Sequence, residues 1–483
     1  MVMDLNKAKR YGWIGILFLA ALPMFLFNTW APYHTDSAGI ALRAEEILHG
    51  KIQPGWRWGT AVVEAVLGAL PYFITRDRVW LHMAGAAAGI IAFLVGLYLL
   101  LVRESKDRTF AAMLTLIGAL SPAVLITGTI GKEDLLAIGE ILLGAAMAPA
   151  GMAPAVVAGV LFGLALASKE MSFALVYLAI VYIFTKNRKA AAVAAGTTII
   201  TLPLWLPMLE FVLSSRSVGM GKFMGFWSGY PFVLSELIKG TGAAAILVGI
   251  VALVLAIRSK RWDNTVPLLL AVLLILYLAG VSVTRYRSAA WVVPLLLLPA
   301  ARQGERWMRY GIYVSLLVAF IAMFDIMPTL EFRAATNLPG SYPSGARGIL
   351  ERNGLILAMD SSALVRFYTD LNVKTHKPYP TEEEAAQIRK EVEELAGKMP
   401  VYIYPDYLAY DNGTLARALS DLNVTPVYTA WYRDYHAVPI YPKKEEWLNK
   451  IREAGYVYYF LSKRADSING VSVTVETYRI ITP

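Results

Sequence analysis

Apolar runs recur along this chain from residue 11 to residue 328, and no other feature limits its fold so strongly. They lie near residues 11–30, 79–102, 109–129, 135–148, 153–168, 171–185, 190–207, 241–257, 265–282, 288–301 and 310–328. Inside a bilayer every backbone polar group must be satisfied within the segment, so a crossing run is a helix of about 20 residues. Several runs fall short of that length. The run 61–74 is also short and carries Glu64, and it reads as a helix lying in the membrane interface. Hydrophobic residues make up 57% of the 483 positions and charged residues 17%, against roughly 25% charged in an average soluble domain. That balance excludes a soluble fold of this size.

The net charge is +9. Its distribution points to topology and not to nucleic acid, because the excess sits in short loops between the runs. With the N-terminus inside, the clusters Lys7/Lys9/Arg10, Arg103/Lys106/Arg108, Lys186/Arg188/Lys189, Arg258/Lys260/Arg261 and Arg302/Arg306/Arg309 all face the cytoplasm. Counting 61–74 as a span would invert every later loop. Eleven spans with a cytoplasmic N-terminus is therefore the expectation. The run Tyr11–Trp30 has no small-residue cleavage site after it and reads as a retained first helix. The chain has no cysteine, which excludes disulfides, thiolate metal sites and a cysteine nucleophile.

From about residue 329 Pro, charged and aromatic residues rise and no spanning run follows. Strand-like segments at 354–360, 400–404 and 424–431 alternate with a helical pattern at 382–398, which predicts a small α/β domain over 329–483. The topology places it outside the cytoplasm. Two glycosylation-type tripeptides, at Asn412 and Asn423, suit that side.

Setting the cytoplasmic clusters aside leaves a second group of charges in the outer loops: His34 and Asp36, Lys132, Glu133 and Asp134, Lys169 and Glu170, Arg216 and Lys222, Arg285 and Arg287. Charges near membrane depth are costly and tend to pair or to serve function. Asp36 precedes an amphipathic segment, Ser37–His49, and either caps it or acts as a general base at the membrane surface. Glu133 and Asp134 open a span, where the helix dipole favours acids. They are also placed to bind an acceptor, or to share a divalent cation (Mg or Mn) with Asp36. Lys169 ends a Gly/Ala-rich helix, where it either snorkels to headgroups or contacts a phosphate. Arg285-Tyr286-Arg287 puts two guanidinium groups in a very short outer loop, suited to a lipid phosphate. Arg216 and Lys222 belong to a long glycine-bearing loop, solvated or acting as a lid. The residues Trp30, Trp56, Trp58, Tyr72 and Trp80 read as an interfacial belt.

In that order along residues 11–328 these features resemble the GT-C superfamily of integral-membrane glycosyltransferases, which includes protein O-mannosyltransferases, the aminoarabinose transferase of lipid A and the oligosaccharyltransferase catalytic subunit. The resemblance rests on Asp36 after the first helix, Pro71-Tyr72-Phe73 in the interfacial helix, Glu133 and Asp134 in the second outer loop, Lys169, and Arg285-Tyr286-Arg287 followed by Pro294. Two features depart from it. Asp36-Ser37 stands where an Asp-Glu pair is common, and the Trp-Trp-Asp signature of the oligosaccharyltransferase is missing, which argues against transfer to asparagine. The resemblance implies a GT-C-like bundle in residues 1–328. It further implies transfer of a hexosyl or pentosyl group, with inversion, from a polyprenyl (dolichyl-type) phosphate to a protein, lipid or glycan acceptor outside the cytoplasm. Asp36 would be the base. His34, Glu133 and Asp134 would lie at the acceptor or a metal, and Lys169, Arg285, Tyr286, Arg287, Arg216 and Lys222 at the donor phosphate.

Two other classes compete. A flippase or transporter of lipid-linked anions would also gather basic residues, but it should show mid-helix charges and two similar halves, and Glu140 is the main such charge here. A membrane-anchored binding protein working through 329–483 leaves the outer-loop charges without a role.

Overall fold

A computed structural model describes residues 5–32, 35–55, 57–131, 133–214, 234–235, 237–260, 265–280, 286–303, 306–336, 343–359, 362–376, 380–404, 407, 413–435 and 471–481. They fall into two compact units, residues 1–30 with 43–334 and residues 31–42 with 335–483. The boundary expected at 328/329 lies inside the last helix of the first unit.

The first unit is built from helices. In chain order they are α1 (Leu5–Leu26), α2 (Thr35–Leu48, its first half grouped with the second unit), α3 (Trp58–Thr75), α4 (Val79–Ser105), α5 (Arg108–Ala119) and α6 (Pro122–Thr129). Then come α7 (Glu133–Met147), α8 (Met152–Ser168), α9 (Ser172–Lys186), α10 (Arg188–Ile200), α11 (Leu202–Ser214), α12 (Ala243–Arg258), α13 (Thr265–Gly280), α14 (Val293–Arg302) and α15 (Arg306–Thr336). A 3-10 turn, Tyr286–Trp291, leads into α14.

Local chemistry sets these ends. The Asp107 carboxylate accepts from Phe110 N and caps α5, and Asn187 accepts from Ala190 N, separating α10 from α9. The run 109–129 is two helices bent by 72°, with Pro122 opening the second, and the run 190–207 breaks by 69° ahead of Pro203. A proline ring clashes with the preceding turn and suits the start of a new helix. Three described helices have the length and apolarity to cross a bilayer: α3, α4 and residues Trp307–Phe324 of α15. The two bent pairs raise this to as many as five, and α1, α8, α9, α12 and α13 are apolar but shorter. By length and composition α3 qualifies as a span, although its run reads as interfacial in the sequence.

Large apolar side chains point outward from the bundle. Leu70, Ile74 and Ile200 are 73%, 74% and 78% exposed. Apolar surface of that kind is stable against lipid and not against water. Inside, α4 and α7 touch backbone to backbone. A Cβ on Gly139 would stand 2.5 Å from the Ala92 carbonyl carbon, and one on Gly96 would stand 2.9 Å from the Gly139 oxygen. Small residues at such crossings let dispersion contacts replace the hydrophobic drive that lipid does not supply.

The second unit holds a mixed five-stranded sheet, with β1 (Leu355–Leu357), β2 (Asn372–Lys374), β3 (Val401–Ile403), β4 (Val424–Tyr435) and β5 (Val471–Ile480) in the order β2-β1-β3-β5-β4. Ile356 pairs with Val373 on one side and Tyr402 on the other, both parallel, while β5 runs antiparallel to β3 and β4. Parallel neighbours need crossovers. Helix α16 (Ser362–Thr369) links β1 to β2, and α17 (Glu382–Ala396) links β2 to β3. A capping box between Thr381 and Glu384 starts α17. The sheet packs through Leu357, Val401 and Ile480 on Ala385 and Val392 of α17 and on Leu415 of α18 (Thr414–Leu419). The Tyr368 hydroxyl donates to Pro32 O at 2.9 Å, fixing part of the early segment to this unit.

Candidate functional site

A charge network is buried in the first unit where α3, α7 and α8 meet. Gly59 lets α3 press on α8, since a Cβ there would lie 2.2 Å from Leu164 O and 2.5 Å from Ser168 Oγ. Arg57, just before α3, takes a left-handed conformation (φ 57°), and Lys169 ends α8. Helix α7 begins at Glu133 after Gly131, whose φ of +58° and 2.7 Å clearance to His82 Cε1 demand glycine.

Arg57 Nη1 and Lys169 Nζ both donate to Glu133 Oε1, the latter at 3.0 Å. Lys169 Nζ also lies 3.7 Å from Asp134 Oδ1 and 3.6 Å from Glu170 Oε1. The Trp291 indole donates to Asp134 Oδ1 at 2.9 Å. The side chains of Glu133, Asp134 and Lys169 are 0%, 2% and 6% exposed. Desolvating ions this far is tolerated only when they are paired. Asp134 Oδ2 is buried and takes no hydrogen bond among the described residues. An orphaned buried acceptor of that kind is uncommon and marks a place for a donor. Beside the network Glu64 Oε1 lies 3.8 Å from His82 Nδ1, both buried.

Of the residues singled out from the sequence, Glu133, Asp134 and Lys169 come together here. The turn Tyr286–Trp291 joins them through Trp291 and carries a buried Arg287. The Tyr286 side chain, and all of His34, Lys132, Arg216, Lys222 and Arg285, lie outside the described residues. Asp36 stands half-buried in the first turn of α2, in the part that groups with the second unit. Sequence reading missed Arg57 and Trp291. An arginine between Trp56 and Trp58, flanked by Gly55 and Gly59, was the available signal for the first. A lone tryptophan gave none for the second. Trp58 and Tyr72, read as belt residues, are 7% and 3% exposed and belong to the packed interior.

Among the described residues no group of three His, Asp or Glu is arranged to hold a metal. The carboxylates nearest to such a role already face Arg57 and Lys169. A divalent cation there would meet two positive charges at short range in a medium that screens poorly. Glu133 and Asp134 by themselves therefore do not fit a Mg or Mn ion.

No protein-family model matches the chain, nor does any curated protein sequence. Solved structures do match in fold. ArnT from Cupriavidus metallidurans, in the apo state, superposes with a TM-score of 0.55 at 14% identity over 87% of this chain and 96% of its own. The chain shares the fold of ArnT. ArnT bound to undecaprenyl phosphate gives 0.54 at 13% identity over 86% and 96% of the two chains. The Archaeoglobus fulgidus oligosaccharyltransferase, in a complex with Zn and sulfate, gives 0.51 at 14% over 88% and 72%.

Proposed function

We propose that the chain is a glycosyltransferase moving a sugar from a polyprenyl-phosphate donor to an acceptor outside the cytoplasm. The observation that carries this reading is the buried Lys169, held by Glu133 next to the turn that bears Arg287. Charges kept inside an apolar bundle pair or serve function, and Lys169 and Arg287 bring two cationic donors to one place. A phosphate accepts from a lysine ammonium and from an arginine fork. The similarly folded ArnT has been crystallised with undecaprenyl phosphate, a ligand of this class.

In the proposed step an acceptor hydroxyl oxygen attacks the anomeric carbon while the bond from that carbon to the phosphate oxygen breaks. The bonding electrons leave with the polyprenyl phosphate, and the hydroxyl proton passes to a carboxylate. That base is assigned to Asp36. Lys169 and Arg287 stabilise the charge on the departing phosphate, assisted by Arg285, Tyr286, Arg216 and Lys222. Glu133 orients Lys169, and Asp134 Oδ2 is available to accept a hydrogen bond from the acceptor. One displacement inverts the anomeric centre. Residues 1–328 carry the chemistry in this reading, through a bundle of about eleven spans with a cytoplasmic N-terminus, and 329–483 stand outside.

Membranes carrying the protein together with its native acceptors, given radiolabelled polyprenyl-phosphate sugars, test it. The wild type should consume donor and release free polyprenyl phosphate, and Asp36→Asn should not. Movement of intact donor across the bilayer without consumption would make the protein a flippase or transporter instead.

A further inference from the structure

Far from the buried network the bundle encloses a second site. Helix α9 starts against Lys169, where Ser172 N donates to Lys169 O, and ends at Lys186, about 21 Å further along at 1.5 Å per residue. A cavity of about 790 Å³ occupies this remote half. Its walls are apolar side chains of five helices, such as Leu100 of α4, Ile141 of α7, Leu178 of α9, Pro267 of α13 and Leu298 of α14. Its polar end is formed by Glu104, Tyr182, Lys186 and Arg302.

That end is an ordered cluster. Glu104, 4% exposed, accepts from Tyr182 OH at 2.7 Å, from Lys186 Nζ at 3.3 Å and from Arg302 Nε at 2.7 Å, with the Lys186 ammonium 2.9 Å from the other carboxylate oxygen. Two cations thus answer one carboxylate, leaving one positive charge in excess. Arg302 spends only its Nε on Glu104, and its two Nη groups take no hydrogen bond among the described residues. The Lys186 side chain is 38% exposed, so its ammonium is open to solvent or headgroups. The volume falls within the roughly 300–1,000 Å³ of ligand pockets. An apolar chamber ending in a fixed, net-positive fork matches a ligand with a hydrocarbon chain and one phosphate. Basic pockets between membrane helices bind anionic lipid headgroups in this way.

We infer that this cavity is a binding site for an anionic glycerophospholipid of the leaflet opposite Lys169, with an acyl chain between α4, α9, α13 and α14 and the phosphodiester on Arg302 and Lys186. Glu104 is a positioning residue there, holding both cations toward the opening. The site is separate from the proposed donor-phosphate residues and does not depend on them.

The test is native mass spectrometry of the full-length protein released from nanodiscs containing phosphatidylglycerol and phosphatidylcholine with identical acyl chains. The wild type should retain phosphatidylglycerol over phosphatidylcholine by roughly tenfold, equivalent to about 1.4 kcal/mol. Lys186→Gln and Arg302→Gln should abolish the preference, and Leu298→Trp, which fills the chamber, should reduce retention of both lipids. Equal retention of the two lipids by the wild type would overturn the inference, and this arm requires no variant to fold. Displacement of the lipid by inorganic phosphate alone would reduce the site to a free-anion site. Displacement by polyprenyl phosphate, with phosphatidylglycerol inert, would assign the cavity to a prenyl chain. Either result contradicts the proposal.

Discussion

Trp291 donates its indole hydrogen to Asp134 across 2.9 Å, joining two residues 157 positions apart and fixing the 286–291 turn to the start of α7. This bond ties the Arg287 turn to a carboxylate that also faces Lys169.

Removing that donor isolates the Asp134 carboxylate. In Trp291→Phe, Asp134 Oδ1 keeps, among the described residues, Lys169 at 3.7 Å, and a buried acceptor that loses its partner costs about 1–3 kcal/mol. The midpoint of thermal unfolding in detergent should fall accordingly. An unchanged midpoint would mean that the bond contributes nothing.

Lys169 and Glu133 should behave as a unit. Lys169→Met leaves Glu133 to Arg57, and Glu133→Gln leaves Lys169 to Asp134 and Glu170 at 3.7 and 3.6 Å, so each should cost less than the about 3–5 kcal/mol of breaking an isolated buried pair. The double variant leaves less charge uncompensated, so its loss should be smaller than the sum of the singles. A double-mutant cycle of unfolding free energies measures the coupling, and additivity would show that the pair is not a pair in solution.

The α4–α7 crossing leaves no room for a side chain. Gly139→Leu would push atoms into the Ala92 backbone, which stands 2.5 Å from a Cβ at that position. Overpacking of this kind costs about 1–3 kcal/mol. Thermal unfolding reads the loss, while Gly196→Leu, where a Cβ meets nothing within 4 Å, should be close to neutral.

Much of this architecture is readable in the sequence because the bilayer imposes it. Apolar runs mark the helices, and lone charges such as Glu133, Asp134 and Lys169 stand out against them. The breaks at Pro122 and Pro203 were less legible, since hydropathy is continuous across a bend. The grouping of residues 31–42 with the second unit depends on long-range contacts such as Tyr368 to Pro32, which no local pattern encodes. Arg57 escaped notice because a flanking arginine looks like an anchor until the Gly59 contact brings it against α8. Trp291 escaped because its partner is set by tertiary packing alone.

The second unit should show a small acid sensitivity at one ion pair. Arg389 donates to both oxygens of Asp421, at 2.6 and 2.9 Å, and holds that carboxyl below its ordinary range. An unfolded aspartate titrates near about 3.9, so on acidification the unfolded chain takes the proton first. The pair's stabilisation is therefore complete above that value and is lost as pH falls through the lower folded value. Both groups face solvent, which keeps the effect slight. Thermal midpoints of wild type and Arg389→Gln should differ near neutrality and converge in acid. A gap that widens in acid would contradict the assignment.

The central claim is that Lys169 serves the departing lipid phosphate. Its most direct test is the initial rate of sugar transfer from a polyprenyl-phosphate donor by Lys169→Met, compared with wild type in membranes that contain the acceptor and normalised to folded protein. Loss of one preorganised charge at a leaving group predicts a fall of roughly 10²–10³ in rate. A folded Lys169→Met protein that transfers at the wild-type rate would contradict the account.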